Sequence, residues 1–410
     1  MGKNRMIIIR KKQLITLCLL MLCIISCSNT PTSTSLNEEE EIFEPGKYIP
    51  SVNFKNRPGL YMENGVLMRE GEAFAGIGVN FYGAFGNYFL NKNNEFDEMF
   101  ALLAGYGIEY CRINIGLYWP IDYAKWNQNK QHYFDCMDTV IRSAEQHHIG
   151  IICSFFWHWQ GISDYFDEAG KAWGNEKSKT RKYMAQYTEQ FVNRYMESPA
   201  IWGYEFGNEI NLQCDLPNAS KHRGGTNKAL GQRSSRDEND DLSAEIAQSA
   251  LKQFATIVKK NDKYGRIVTS GCAELRPSQY NQRMYKNWQT DTRKEMAQAM
   301  VWFNPPPMDC VSVHIYDLLG RFLPESQNNY VNLIKVYMEE AAAKGQTLFV
   351  GEFHGIDKRC EEIIDALVVN RTPVSAVWAV GSVEYSISTD PERQNVVLGY
   401  IEEANKMLKK

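Results

Sequence analysis

Several familiar signatures are missing from this chain of 410 residues. Its 10 cysteines include no C-x-x-C pair, which argues against a zinc site and a redox dithiol. The 45 lysines and arginines form no basic helix or stripe and the formal net charge is -4, so no nucleic-acid partner is expected. The first strand-like run, Gly76-Ile77-Gly78-Val79-Asn80, does not continue as G-x-G-x-x-G into a helix, which argues against a dinucleotide fold. The acidic stretch 237–241 lacks the spacing of a calcium loop. What is present suits a soluble domain with an ample core: 44% hydrophobic and 23% charged residues. Aromatics reach 12%, enough both for packing and for rings on which sugars could stack in a cleft.

The first residues stand apart. Lys3, Arg5, Arg10, Lys11 and Lys12 precede an apolar run, residues 14–25, that is too short for an ordinary membrane span. The run ends in Ser26-Cys27 and resembles a bacterial lipobox. The resemblance implies a signal peptide over residues 1–26, cleavage before Cys27 and lipidation of its thiol. Ser28 at the next position implies sorting to the outer membrane, at the cell surface or on its periplasmic face. Residues 27–50, rich in Ser, Thr, Asn and Glu, read as a flexible tether. Any membrane association is expected through the lipid alone, with the body, residues 51–410, a monomer. Beyond Cys18, Cys23 and Cys27 seven cysteines remain, an odd number that cannot all pair. Cys111, Cys153 and Cys310 sit in apolar runs and read as small buried residues.

From Ala75 onward short apolar runs alternate with helical patterns. Eight runs have strand length: residues 76–82, 108–114, 150–157, 201–209, 266–270, 310–314, 348–352 and 374–380. Amphipathic stretches at 182–196, 242–258, 331–343 and 396–408, and the face Phe134-Met137-Ile141-Ala144, lie between or after them. Continuous apolar strands separated by helices indicate a parallel sheet covered on both faces, and eight of them favour closure into a (β/α)8 barrel. Ahead of it, Asn64-Gly65 marks a hairpin, expected across the barrel floor. The polar loop 216–241 follows the fourth strand, on the face where barrels carry function, with Asp240 or Asp241 expected to cap the next helix.

Polar residues gather at the C-terminal ends of these runs. Glu209 ends the fourth and Glu352 the seventh, on opposite sides of a ring of eight. A pair of carboxyls facing one cleft suits glycoside cleavage with retention of configuration: one protonates the leaving oxygen and the other attacks the anomeric carbon. Glu209 then has to hold a proton, so burial and the Glu352 charge are expected to raise its pKa. Glu205 shares strand parity with Glu209 and reads as a partner of Arg112. His354, just beyond Glu352, reads as either substrate-lining or merely exposed, and Asp317 and Glu384 are weaker candidates at the rim.

Together these motifs resemble glycoside hydrolase family 5, the cellulase-like family of a clan of retaining barrel glycosidases, from about Gly65 to the C-terminus. The matching residues are Gly78 and Asn80, Arg112, His158, then Glu205, Asn208 and Glu209, then His314 and Tyr316, then Gly351, Glu352 and Phe353, and Trp378. The resemblance implies Glu209 as acid/base and Glu352 as nucleophile, with Asn80, Arg112, His158, Asn208, His314, Tyr316 and Trp378 around the sugar. It implies no cofactor and no metal, and a poly- or oligosaccharide as substrate. Ile210 departs from the proline common after the catalytic Asn-Glu. An endo-acting hydrolase of a β-linked glucan or mannan is expected first. An exo-acting β-glycosidase and a non-catalytic glycan-binding lipoprotein are the alternatives.

Overall fold

The computed structural model describes residues 43–318, 322–383 and 386–410. Three short strands, β1 (Leu60–Glu63), β2 (Val66–Arg69) and β3 (Glu72–Ala73), form an antiparallel sheet. Asn64 and Gly65 take the positive φ angles, 51° and 80°, that a tight hairpin demands. Eight parallel strands follow: β4 (Gly76–Asn80), β5 (Tyr110–Asn114), β6 (Gly150–Phe156), β7 (Ile201–Gly207), β8 (Ile267–Thr269), β9 (Cys310–Ile315), β10 (Thr347–Phe353) and β11 (Val374–Val377). Their order, β8-β7-β6-β5-β4-β11-β10-β9, makes one nearly closed ring. Asp309 bridges the seam, its N–H donating to Val268 O at 2.9 Å and its carboxylate accepting from the Val268 N–H at 2.8 Å. This is the (β/α)8 barrel the sequence indicates.

Every residue of these eight strands is buried, because helices cover the ring and side chains fill it. Helix starts are marked by side chains that accept otherwise unsatisfied N–H groups: Ser178 from Arg181, Ser243 from Ile246, Thr292 from Glu295, Asn329 from Asn332 and Asp390 from Arg393. Leu60 and Leu67 pack with Tyr110, Ile152, Trp202, Ile267, Cys310, Phe349 and Val374, the first residues of the barrel strands or close to them. The hairpin therefore plugs the N-terminal end and leaves the other open.

The folded body starts earlier than residue 51. Phe43 stacks on Phe134 with centroids 6.0 Å apart, the Arg194 guanidinium donates to Gly46 O at 2.8 Å, and the buried Tyr48 hydroxyl donates to Glu145 at 3.1 Å. Residues 43–50 thus belong to the body rather than the tether. Cys27 lies outside the described residues. All seven cysteines within them are free and buried, and no helix among them is long and apolar enough to cross a membrane.

Loop 216–241 is tied down by charge. Arg236 and Asp164 form a buried ion pair, Arg233 reaches Asp240 at 2.8 Å, and Arg223 grips Asp241 through two contacts of 2.7 Å. The acidic stretch is therefore neutralised by arginines, and Ser243 rather than Asp240 or Asp241 caps the following helix.

One buried acid lies just past β8. Glu274 accepts from the Tyr337 hydroxyl at 2.9 Å through Oε1, and its Oε2 has no partner among the described residues. Burial pushes its carboxyl up to about 8, with the Tyr337 hydrogen bond opposing and Asp317 adding to the rise. The folded protein thus keeps a proton that the unfolded chain gives up near pH 4.5. Stability is lost as pH climbs from there through about 8, by up to roughly 4 kcal/mol. Glu274→Gln removes this titration. Its thermal midpoint relative to wild type is expected to rise by several degrees between pH 5 and pH 8 in scanning calorimetry. An offset that stays constant with pH would contradict this reading.

Candidate active site

The site is assembled around Arg112. In the parallel ladders Asn80 lies in register with Arg112, and His314 with Glu352, so neighbouring strands deliver these groups side by side. Arg112 is wholly enclosed. Its Nε donates to Glu205 at 2.7 Å, Nη1 to Asn80 Oδ1 at 2.9 Å and Glu352 Oε1 at 2.7 Å, and Nη2 to Asn208 Oδ1 at 2.9 Å. The Trp157 ring lies 4.1 Å from the guanidinium carbon. Burial alone would lower the Arg112 pKa, but the charges of Glu205 and Glu352 outweigh it and raise it. A planar fork with five N–H groups can serve four partners at once, which an ammonium cannot.

The two carboxylates face each other across His314. Glu352 Oε2 accepts the Tyr316 hydroxyl at 2.6 Å, and a register irregularity between Val350 and Glu352 re-aims the strand end. His314 Nδ1 lies 2.8 Å from Glu209 Oε1 and 3.6 Å from Glu352 Oε2. One oxygen of each glutamate and one His314 nitrogen all fall within 4.8 Å of one another. Such a trio has donors for a divalent cation, but Arg112 already neutralises Glu352 and Tyr316 fills its second oxygen. His314 Nε2 is buried with no partner among the described residues, so the ring meets the glutamates through Nδ1. Gly351 makes room for that ring, since a Cβ there would fall 2.9 Å from Nε2.

Glu209 sits in the left-handed region, at φ 51°, with its N–H donating to Gly271 O at 2.9 Å. A non-glycine residue held there costs about 1–3 kcal/mol, and the surrounding contacts must enforce it. Gly271 is obligatory for this contact, because a Cβ would lie 1.8 Å from Gly207 O and 2.7 Å from the Glu205 carboxyl carbon. The pKa of Glu209 moves opposite to the expectation. Burial raises it, but the hydrogen bond and charge of His314 and the charge of Arg112 prevail, so it lies below the ordinary value. A proton for the leaving oxygen must then be held at Glu209 against the pull of His314 and Arg112.

These groups open into a cavity of ≈ 710 Å³ at the C-terminal end of the barrel. Asn208, Glu209, Tyr316, Glu352 and Trp378 line it, as expected, and so does His354, one of the two positions its sequence reading allowed. Four expected sugar contacts do not line it. Asn80 and Arg112 are fully buried, and the Asn80 Nδ2 donates to Gly351 O at 2.9 Å, so both brace the carboxylates from behind. His314 is enclosed between the glutamates. His158 stacks on Tyr118 at 4.4 Å and lies 2.9 Å from its carbonyl oxygen through Nδ1, so it positions a wall residue instead. Tyr82 and Tyr118, which line the cavity, were not singled out from sequence. Asp317 sits at the rim, 2.6 Å from Arg359, and Glu384 lies outside the described residues.

A barrel with a braced carboxylate pair at its open end has the build of a glycoside hydrolase. Residues 70–382 match the family model described as Cellulase (glycosyl hydrolase family 5), and the chain belongs to that family. A probable mannan endo-1,4-β-mannosidase A-2 of Aspergillus terreus is 35% identical over 87 residues, 19% of this chain and 22% of that protein. Mannan endo-1,4-β-mannosidase A of Hypocrea jecorina is 34% identical over 79 residues, 18% of each chain. The matched stretches thus span about a fifth of these relatives. Among solved structures, the endo-1,4-β-mannanase of Rhizomucor miehei superposes with a TM-score of 0.60 at 14% identity, over 86% of this chain and all of that one. A β-glucanase of Saccharophagus degradans gives 0.56 at 14% identity, over 91% and all, respectively. These two show the shared fold.

Proposed function

We propose that the protein is a retaining, endo-acting hydrolase of a β-linked polysaccharide, with mannan the first substrate to test and glucan the second. The observation that carries this is the carboxylate pair, with oxygens within 4.8 Å and unlike surroundings. A separation near 5 Å is too short to seat a water between carboxyl and sugar, and suits direct attack. Glu352, ion-paired to Arg112 and steadied by Tyr316, is the nucleophile. Glu209, hydrogen-bonded to His314, protonates the leaving oxygen and later deprotonates water. Asn208 holds the sugar 2-hydroxyl, and Trp378 with Trp157, Tyr82 and Tyr118 supplies stacking surface. The sequence likeness to mannan endo-1,4-β-mannosidases puts mannan ahead of glucan.

The test is incubation with β-mannan and β-glucan while viscosity and reducing ends are followed together. Viscosity is expected to collapse early, as internal cleavage requires. Monosaccharide released at steady viscosity would indicate the exo-acting reading, and no reducing ends at all the non-catalytic one. Proton NMR of the first products is expected to show the β-anomer, and α-product would overturn the direct-attack mechanism.

We further propose that Cys27 carries lipid and holds a monomeric enzyme on the outer membrane. The basic, apolar, Ser26-Cys27 sequence supports this. Cys27→Ser is expected to shift the protein from the detergent phase to the aqueous phase on Triton X-114 partitioning, and unchanged partitioning would refute the anchor.

A further inference from the structure

The chain that follows Glu352 makes one wall of the cavity, through His354, Gly355 and Ile356. The sequence motif ends at Phe353, and the residue after it, His354, is held firmly by the structure. Its N–H donates to Ile315 O at 3.1 Å, which pins the backbone to the end of β9. Its ring is pinned as well. Nε2 lies 3.0 Å from Arg359 Nη2 and 3.1 Å from Asp357 Oδ2. Arg359 in turn binds Asp357 at 2.7 Å and Asp317 at 2.6 Å, so it staples the loop after β10 to the loop that carries Tyr316. The Tyr316 ring packs edge-on against the imidazole at 6.1 Å.

Nε2 is thus engaged, and Nδ1 remains. Among the described residues no group hydrogen-bonds Nδ1, and it is not among the enclosed, unpartnered atoms, so solvent reaches it. An imidazole whose only task was to organise Arg359 and Asp357 would be superfluous, because those two already pair directly. A ring fixed at one nitrogen, with the other open in a cavity wall, is a preorganised hydrogen-bonding group. Glycans present hydroxyls that can either donate or accept, so either tautomer finds a partner.

We infer that His354 is a substrate-contact residue, its Nδ1 hydrogen-bonding a sugar hydroxyl in the cleft, with Asp357 and Arg359 as positioning residues. This rests on the cleft being the glycan-cleaving site proposed above. The test compares wild type with His354→Leu, His354→Gln and Asp357→Asn on mannohexaose and cellohexaose, using whichever wild type cleaves better. His354→Leu keeps bulk but loses the polar edge, and is expected to raise KM and lower kcat/KM by about tenfold or more. His354→Gln restores a polar group and is expected to recover part of that loss. Asp357→Asn, which loosens the ring, is expected to fall between wild type and His354→Leu, with all four thermal midpoints alike. Wild-type KM and kcat/KM in His354→Leu would overturn the inference. So would equal losses in the Leu and Gln variants with lowered thermal midpoints, the mark of a purely structural histidine. Wild type inert toward both hexasaccharides and both polysaccharides would overturn the functional reading itself, and this inference with it.

Discussion

Glu352→Ala is expected to be almost inactive on every substrate, whereas Glu209→Ala should lose activity in proportion to how badly the leaving group needs a proton. Glu352 is the nucleophile of the proposed mechanism: its Oε1 is paired to Arg112 and its Oε2 accepts from Tyr316, an arrangement that keeps a carboxylate oriented. Without it no glycosyl-enzyme forms, and the loss should be on the order of 10⁴-fold or more. Glu209, the acid/base of the proposed mechanism, is hydrogen-bonded to His314 and open to the cavity. General acid–base assistance contributes about 10²–10⁴-fold, so the loss on a polysaccharide should fall in that range. An aryl glycoside with an acidic phenol departs without help. Glu209→Ala should therefore form the glycosyl-enzyme from it and then stall, since nothing activates water. Azide needs no deprotonation, so added azide should restore turnover and yield a glycosyl azide of retained configuration. In Glu352→Ala the same anion should give no retained product. Rescue patterns that came out exchanged would reverse the two assignments, and wild-type rates in both variants would remove catalysis from this pair altogether.

The parts of this site that could be read from sequence are those that strand geometry places automatically. Eight apolar runs have only a few ways to pack, and in a closed ring their C-terminal ends converge. Glu209, Glu352, Tyr316 and Trp378 therefore come together whatever the loops do. Groups on one strand face are also ordered by parity, which is how Glu205 could be paired with Arg112 in advance. Depth along a strand is harder to read. Asn80, Arg112 and His314 are buried behind the cavity lining, where they contact the carboxylates or the backbone beside them. Tyr82 and Tyr118 lie beyond strand ends, where packing of the connecting chain sets their direction and no periodicity reports it. The direction of the Glu209 pKa depends on how near His314 and Arg112 come, His314 at 2.8 Å, which spacing in the chain cannot supply. The start of the folded body at Phe43 rests on contacts with Phe134 and Arg194, roughly 90 and 150 residues away in the chain. Asp240 and Asp241 looked like helix caps because acids often are, but arginines of the same loop took them.

Arg112→Leu is expected to damage folding and catalysis together, and the two effects can be separated. The guanidinium holds two enclosed carboxylates, Glu205 and Glu352, at 2.7 Å each. Removing it leaves both uncompensated in a dry environment, and breaking such a pair typically costs about 3–5 kcal/mol. The urea midpoint should drop accordingly. Arg112→Lys keeps a charge but not the fork. It should recover a good part of the stability while remaining well below wild type in kcat, because one ammonium cannot orient Asn80, Asn208, Glu205 and Glu352 at once. The decisive variant is Arg112→Leu combined with Glu205→Gln. Taking away one of the two buried charges should restore stability, a coupling that a double-mutant cycle measures directly. It should not restore turnover, because Glu352 and Asn208 still lack the group that fixes them. Wild-type kcat in that double variant would mean that Arg112 serves the barrel and not the chemistry. Stability regained without activity would place the guanidinium among the groups that aim Glu352.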